Sequence, residues 1–451
     1  MTRDVDVAYP SDEDVARACR VIMEDACDPG GPGAAVVVAR SGRAVFRAGF
    51  GMASLELGVR IEPEMVFRLG SITKQFTAVS VLMLAEQGKL ALSDDITTFL
   101  PDFPTHGHQI TLEHLLTHTS GIKSYTALPE WLGMWRQDMT VQELIDLSKA
   151  EPMLFEPGER FDYCNSGYIL LGAVIEAVSG ESYERFLTRN VFEPLGMTHT
   201  CYDHTAAVVP GRVCGYEKGE DGYRNAPYLS MTQPYAAGSL ASSVDDLLVW
   251  DRALRPDVLL SADSLNRAFT PGRVNSGEST GYGYGWGISA HEGRPTVEHS
   301  GGIHGFSTYA LRILDDDVYV AVLTNSTADY PPPEYLAVTL AAEAIGLPYR
   351  RPEPLPVAPA VLDSYVGVYR VGEDDGREVT RDGDRLVISW PGGSSYGLVP
   401  TSVTEFFVDG PVLDWVAFET EPDERRTVLV IHGRDGRAQK APRTDKPVAA
   451  R

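Results

Sequence analysis

Apolar residues recur along this chain with two different periods, and the changes of period mark out its parts. Val15, Ala18, Val21 and Ile22 follow helical spacing behind Ser11-Asp12-Glu13-Asp14, a stretch suited to capping a helix. Two β-rich runs, Ala34–Arg40 and Arg43–Phe50, flank Ser41-Gly42 and predict a hairpin. Helical spacing returns with Phe76, Val79, Leu82 and Met83, in a helix that begins at Ser71 and meets a stop at Gly88. Between about 111 and 250 the pattern is mainly helical. It predicts helices over 112–118 (capped by Thr111), 141–147, 168–178, 183–192 and 245–254 (capped by Ser243). After about Gly281 the period falls to two, giving strands at 284–289, 308–314 and Val318–Thr324, then a helix at 335–345.

Strands at both ends with helices between them predict one α+β unit over 1–347. Its antiparallel sheet is built from both ends of the segment, and the helical region packs to one side. Pro348, Pro352, Pro354, Pro356 and Pro359 make 348–359 a stiff connector. Beyond it, short runs at 365–369, 385–390, 395–399, 405–408, 415–418 and 427–431 alternate with Gly, Asp and Pro turns. They predict a small all-β barrel over 360–451.

Composition narrows the function classes. A formal net charge of -24 over 451 residues argues against nucleic acid and anionic membranes as partners. No run approaches membrane-spanning length, and the acidic Met1-Thr2-Arg3-Asp4 start lacks an apolar export core, so a cytoplasmic location is expected. The five cysteines show no C-x-x-C spacing and suggest neither a disulfide framework nor a zinc site. His106-Gly107-His108 reads as a solvated loop, and neither H-E-x-x-H, G-x-S-x-G nor a glycine-rich phosphate loop occurs. No metal and no cofactor are expected.

Three short pieces carry chemistry. Ser71 and Lys74 are neighbours on one helix face at i, i+3. The helix N-terminus favours a developing alkoxide at Ser71, and an apolar surround lets Lys74 shed its proton and act as a base. Tyr163 and Asn165 lie two apart on an extended segment, so both reach one cavity. A nearby ammonium is expected to lower the Tyr163 pKa, fitting it to take the Ser71 proton and return it to a leaving group. The Asn165 amide has the groups to hold both Lys74 and a substrate carbonyl. In His299-Ser300-Gly301-Gly302, the glycines admit a substrate backbone, and the Gly302 N–H can join that of Ser71 in an oxyanion hole. The small-residue stretch from Ala236 to Ser243 reads only as a loop.

Ser71-Ile72-Thr73-Lys74, Tyr163-Cys164-Asn165 and His299-Ser300-Gly301, in this order, resemble the three motifs of class C β-lactamase-like serine hydrolases, the penicillin-binding-protein-like S12 peptidases. Thr111-Leu112-Glu113-His114-Leu115-Leu116-Thr117-His118-Thr119-Ser120-Gly121 is also similar to a stretch typical of that family. The resemblance covers about 32–346. It implies an acyl-enzyme on Ser71, with Lys74 and Tyr163 sharing acid–base duty in an order left open. Asn165 then positions Lys74 and substrate, and His299 supports Tyr163 or touches substrate. His299 stands where carboxypeptidases and β-lactamases of the family usually carry Lys, which weakens binding of a substrate carboxylate. The family's D-aminopeptidases share the His and the Tyr-Cys-Asn. The resemblance therefore implies cleavage of short peptides or amides with an N-terminal D-residue. Esterase, β-lactamase and DD-peptidase activities, and a non-catalytic sensing scaffold, are the alternatives. The barrel is similar to a lipocalin-like appendage; it is expected to be packed rather than lipid-carrying, and to cover the site or support a homo-oligomer.

Overall fold

In the computed structural model, Ser11 caps α1 (Asp12–Ala26) by accepting the Asp14 N–H. The hairpin β1 (Ala34–Arg40) and β2 (Arg43–Phe50) forms as expected, turning at Ser41-Gly42. The residues described are 9–327, 331–349, 352–371, 375–390, 394–420, 427–435 and 437–444. The stretch read for an export signal and linker positions 350 and 351 lie outside them.

The helical region supplies α2 (Thr73–Glu86), α3 (Leu112–Leu116), α4 (Val141–Lys149), α5 (Asn165–Ser179) and α6 (Tyr183–Leu187). Thr111 caps α3 and Thr140 caps α4, each in a reciprocal capping box. The helix expected over 183–192 is interrupted, because after Leu187 the turns widen to π geometry over Thr188–Phe192. Ser243 caps α7 (Val244–Ala253). The sequence reading missed a largely solvated ribbon here, Tyr216–Gly219 paired with Gly222–Asn225, whose one buried side chain is Tyr216. Its Glu, Lys, Asp and Arg residues leave no apolar alternation to find.

Strands β3 (Gly287–His291), β4 (Arg294–Ile303), β5 (Phe306–Ile313) and β6 (Val318–Thr324) follow, then α8 (Pro333–Ala344). One six-stranded sheet results, in the order β3-β4-β5-β6-β1-β2, so the N- and C-terminal segments share one sheet as expected. β1 is buried from Ala34 to Ala39 and β6 throughout. Such unbroken apolar runs suit strands covered on both faces. α1 and α8 pack together against this sheet, and α7 packs on β1 and β6.

The chain divides into two compact units, Met1–Ser289 with Pro295–Leu347, and Pro348–Arg451 with Ala290–Arg294. In the second, residues 352–358 carry no regular structure, and Leu355 N–H donates to Pro400 C=O. The expected strand at 365–369 begins instead with a helix, α9 (Pro359–Tyr365), because Pro359 sits favourably at a helix start. Eight strands then close a barrel: β7 (Gly367–Arg370), β8 (Gly376–Asp382), β9 (Arg385–Ser389), β10 (Ser395–Pro400), β11 (Glu405–Asp409), β12 (Trp415–Thr420), β13 (Thr427–His432) and β14 (Ala438–Thr444). β8 and β14 were not legible, since each carries polar residues at most positions and few inward apolar ones, Val379 and Ala441. Alternate inward residues, among them Leu386, Ile388, Phe406, Val408, Val416, Phe418, Leu429 and Ile431, fill the interior with Leu362 and Tyr365 of α9.

Candidate active site

Ser71 owes its position to a turn assembled from three segments. Phe67 and Arg68 pair with Ser242 and Ala241, and the Leu69 N–H donates to Leu240 C=O at 2.8 Å. Arg68 is also tied to buried Asp203 at 2.7 Å. The chain then reverses at Gly70, whose φ of +55° suits glycine. A Cβ there would come 3.0 Å from the Gly302 nitrogen, so the Gly301–Gly302 peptide lies directly against the turn. Thr308 Oγ1–H on β5 donates to Leu69 C=O at 2.8 Å. A tight 3₁₀ turn over Gly70–Ile72 carries Ser71 into α2. The helix is buried at every position from Thr73 to Leu82.

Lys74 is 0% exposed. Its Nζ lies 3.0 Å from Ser71 Oγ, 2.8 Å from Asn165 Oδ1 and 2.9 Å from Ala237 C=O. Burial lowers its pKa to about 7, opposed weakly by the neighbouring Cys164. The Asn165 amide oxygen and the Ala237 carbonyl can only accept, so they fix two N–H bonds of a neutral amine. The remaining lone pair then faces the Ser71 hydroxyl, the orientation a general base needs.

Tyr163 and Asn165 flank Cys164, whose extended backbone caps α5. The Tyr163 phenol faces Ser71 closely enough for the serine to favour its ionised form. Its ring lies 4.8 Å from Lys74 Nζ and the residue keeps 36% exposure, so one edge faces the cleft. The expected lowering of its pKa is reversed: desolvation raises it, offset in part by the nearby Ser71 hydroxyl. The reason is that folding takes the phenol out of water, a cost to the phenolate that the sequence reading did not weigh. Asn165 Nδ2 donates to Thr126 Oγ1 at 3.1 Å, and its backbone N–H donates to Ser124 Oγ at 3.2 Å.

His299, 6% exposed, is held at both ring nitrogens. Nδ1–H donates to Ser300 C=O at 2.6 Å, and Nε2 accepts from Tyr282 O–H at 2.7 Å. Burial, helped by the proximity of Lys74, pushes its pKa down to about 3, against the Ser300 bond. It is a neutral, locked imidazole that supports Tyr282. His299 makes no hydrogen bond to Tyr163, since Ser300 and Tyr282 take both its ring nitrogens; the two ring centroids lie 6.3 Å apart. Gly301 has no room for a side chain, since a Cβ would lie 1.9 Å from Leu69 O, whereas Gly302 borders open space. The structure thus brings Ser71, Lys74, Tyr163, Asn165 and the Gly301–Gly302 peptide together, with His299 behind them.

The sequence reading missed Ala237, Ser124, Thr126, Tyr282 and His118. Ala237 contributes only its carbonyl, which no side chain advertises. His118 lay in the stretch similar to the family. Among the described residues no cluster of three or more His, Cys, Asp or Glu is placed to hold a metal ion. No described helix is long and apolar enough to cross a membrane.

This fold and constellation define a serine hydrolase of the β-lactamase and penicillin-binding-protein type. The β-lactamase family profile matches residues 16–344, and the chain belongs to that family. It is 31% identical over 437 residues to penicillin-binding protein 4* of Bacillus subtilis (strain 168), covering 91% of this chain and 94% of that one. An octameric penicillin-binding protein homologue from Pyrococcus abyssi superposes with a TM-score of 0.65 at 27% identity, covering 95% of this chain and 99% of that one. A D-stereospecific amidohydrolase from Streptomyces sp. gives 0.59 at 29% identity, covering 69% and 94%.

Proposed function

We propose that this chain cleaves short peptides or amides carrying an N-terminal D-residue, through an acyl-enzyme on Ser71. The observation that carries the reading is the state of His299, neutral and engaged at both nitrogens. A carboxypeptidase or β-lactamase needs a fixed cation for its substrate's carboxylate; His299 offers none. Similarity to a D-stereospecific amidohydrolase supports the amide preference.

In the proposed reaction, neutral Lys74 takes the proton from Ser71 Oγ as it attacks the carbonyl carbon. The N–H groups of Ser71 and Gly302 stabilise the oxyanion. The Tyr163 hydroxyl, held protonated by its raised pKa, donates to the leaving nitrogen and is recharged from Lys74. Water attacks the ester in the second half, with the same two groups reversing their roles. Asn165 holds Lys74 in place throughout. Esters are the second reading. None of the hydrogen bonds made by Ser71, Lys74, Tyr163 or Asn165 among the described residues goes to a carboxylate that could receive a substrate amine.

The test compares the protein and Ser71→Ala on D- and L-alanine p-nitroanilides, p-nitrophenyl acetate and a chromogenic cephalosporin. Cleavage of the D-anilide, lost by roughly 10⁴-fold or more in Ser71→Ala, is expected. Ester cleavage alone makes it an esterase, and cephalosporin hydrolysis sinks the reading of His299. Silence on all four returns the sensing scaffold. We further propose assembly through the barrel; similarity to an octameric homologue supports assembly as such, and light scattering on the full chain tests whether it occurs.

A further inference from the structure

His118 takes no part in the chemistry above, yet its surroundings converge on Tyr163. It is 1% exposed and holds a left-handed backbone, φ +57°, which is unfavourable for a residue with a Cβ. Its carbonyl accepts the Asp162 N–H at 2.9 Å, and its Nδ1 accepts the Cys164 N–H at 3.0 Å. These are the amides of the residues on either side of Tyr163. With Nδ1 accepting, the ring proton sits on Nε2, which has no hydrogen-bond partner. The imidazole is instead enclosed by rings, at 4.3 Å from Tyr163, 4.7 Å from Tyr282 and 5.1 Å from Tyr168. Burial, with Lys74 and His299 nearby, holds its pKa well below the usual histidine range, so Nδ1 keeps its lone pair.

We infer that His118 is a positioning residue for Tyr163: it grips the amide before and the amide after the tyrosine, backs its ring, and so fixes the phenol oxygen on Ser71. This rests on the reading that Tyr163 handles protons in the reaction. The left-handed backbone lets one residue present both its carbonyl and its ring nitrogen to the same segment, 162–164. The same conformation ends α3 in a Schellman turn, with the Thr119 N–H donating to His114 C=O at 2.9 Å, so the helix stop and the grip share one residue.

Three variants separate the parts. His118→Asn keeps an acceptor at the Nδ1 position and tolerates the left-handed backbone. His118→Phe keeps a ring without an acceptor, and Tyr163→Phe removes the phenol. With p-nitrophenyl acetate, His118→Phe is expected to lower kcat on the order of 10²-fold at nearly constant KM, the scale of a small misplacement of a reacting group. His118→Asn restores most of it, and His118→Phe costs nothing further in a Tyr163→Phe background. Hydrogen–deuterium exchange over residues 159–168 gives a readout independent of turnover: protection of the Cys164 amide is lost in His118→Phe and kept in His118→Asn. Unchanged protection in His118→Phe, equal kcat loss in Asn and Phe variants, or additive losses in the double variant would each overturn the inference. Full activity of Tyr163→Phe would instead sink the role of Tyr163, leaving exchange to judge the grip. If His118→Phe fails to fold, His118→Asn decides, since only a preserved acceptor keeps both turnover and protection.

Discussion

Lys74 sets the balance between stability and activity at the scale of one residue. An unfolded lysine keeps its proton to about pH 10.5, whereas in the fold it releases it near 7. Between those values the unfolded chain binds one more proton, so raising the pH favours the folded state; below 7 the whole cost of burying the ammonium remains. At 1.36 kcal/mol per unit, that cost is on the order of 5 kcal/mol before its hydrogen bonds are credited. Lys74→Met is therefore expected to abolish turnover yet raise Tm at pH 6, with the gain shrinking by pH 9; a gain independent of pH would refute the assignment. The same titration predicts that kcat/KM on a neutral ester rises through about pH 7. A flat profile between 6 and 8 would exclude Lys74 as the base. These side chains were legible because Ser, Lys, Tyr and Asn announce their chemistry by type. The direction of the Tyr163 shift was not, because it depends on how far the phenol itself is taken out of water, and spacing does not encode depth.

Among the elements, β4 makes the sharpest demand. Its Gly301 lies flat against Leu69, and its Gly302 faces open space. Gly301→Ala must push β4 off the nucleophile turn; a stability loss of about 1–3 kcal/mol is expected, with most of the activity gone. Gly302→Ala is expected to melt within about 0.5 kcal/mol of the parent, any defect appearing in catalysis alone. Thermal melts with parallel turnover assays separate the two, and similar melting of both variants would mean that the contact with Leu69 yields. Helix starts at Ser11, Thr111 and Ser243 were readable from their caps, and β1 and β6 from unbroken apolar runs. The ribbon at 216–225 and the helix at Pro359 were not. The first buries a single side chain, Tyr216, too few to set a period, and the second places its two core residues, Leu362 and Tyr365, beside strand-like sequence.

At the scale of the molecule, each unit has its own core. Tyr365 stacks on Phe418 at 4.1 Å inside the barrel, so Phe418→Ala should remove about 3–5 kcal/mol from that unit. Calorimetry is expected to show a low-temperature transition for the barrel and an unmoved one for the unit holding Ser71. A single cooperative shift would show that the two unfold together. The α+β plan was legible because strands bracket the helices. The barrel's strand count was not, because β8 and β14 direct few apolar side chains inward.

One consequence follows from the pairing of β7 with β14. Every strand of that barrel already has two neighbours, so its backbone offers no open rim on which another chain could lay a strand. Self-association through it must rest on side chains alone, and such a contact can be tuned or abolished by surface substitutions without disturbing a single ladder hydrogen bond.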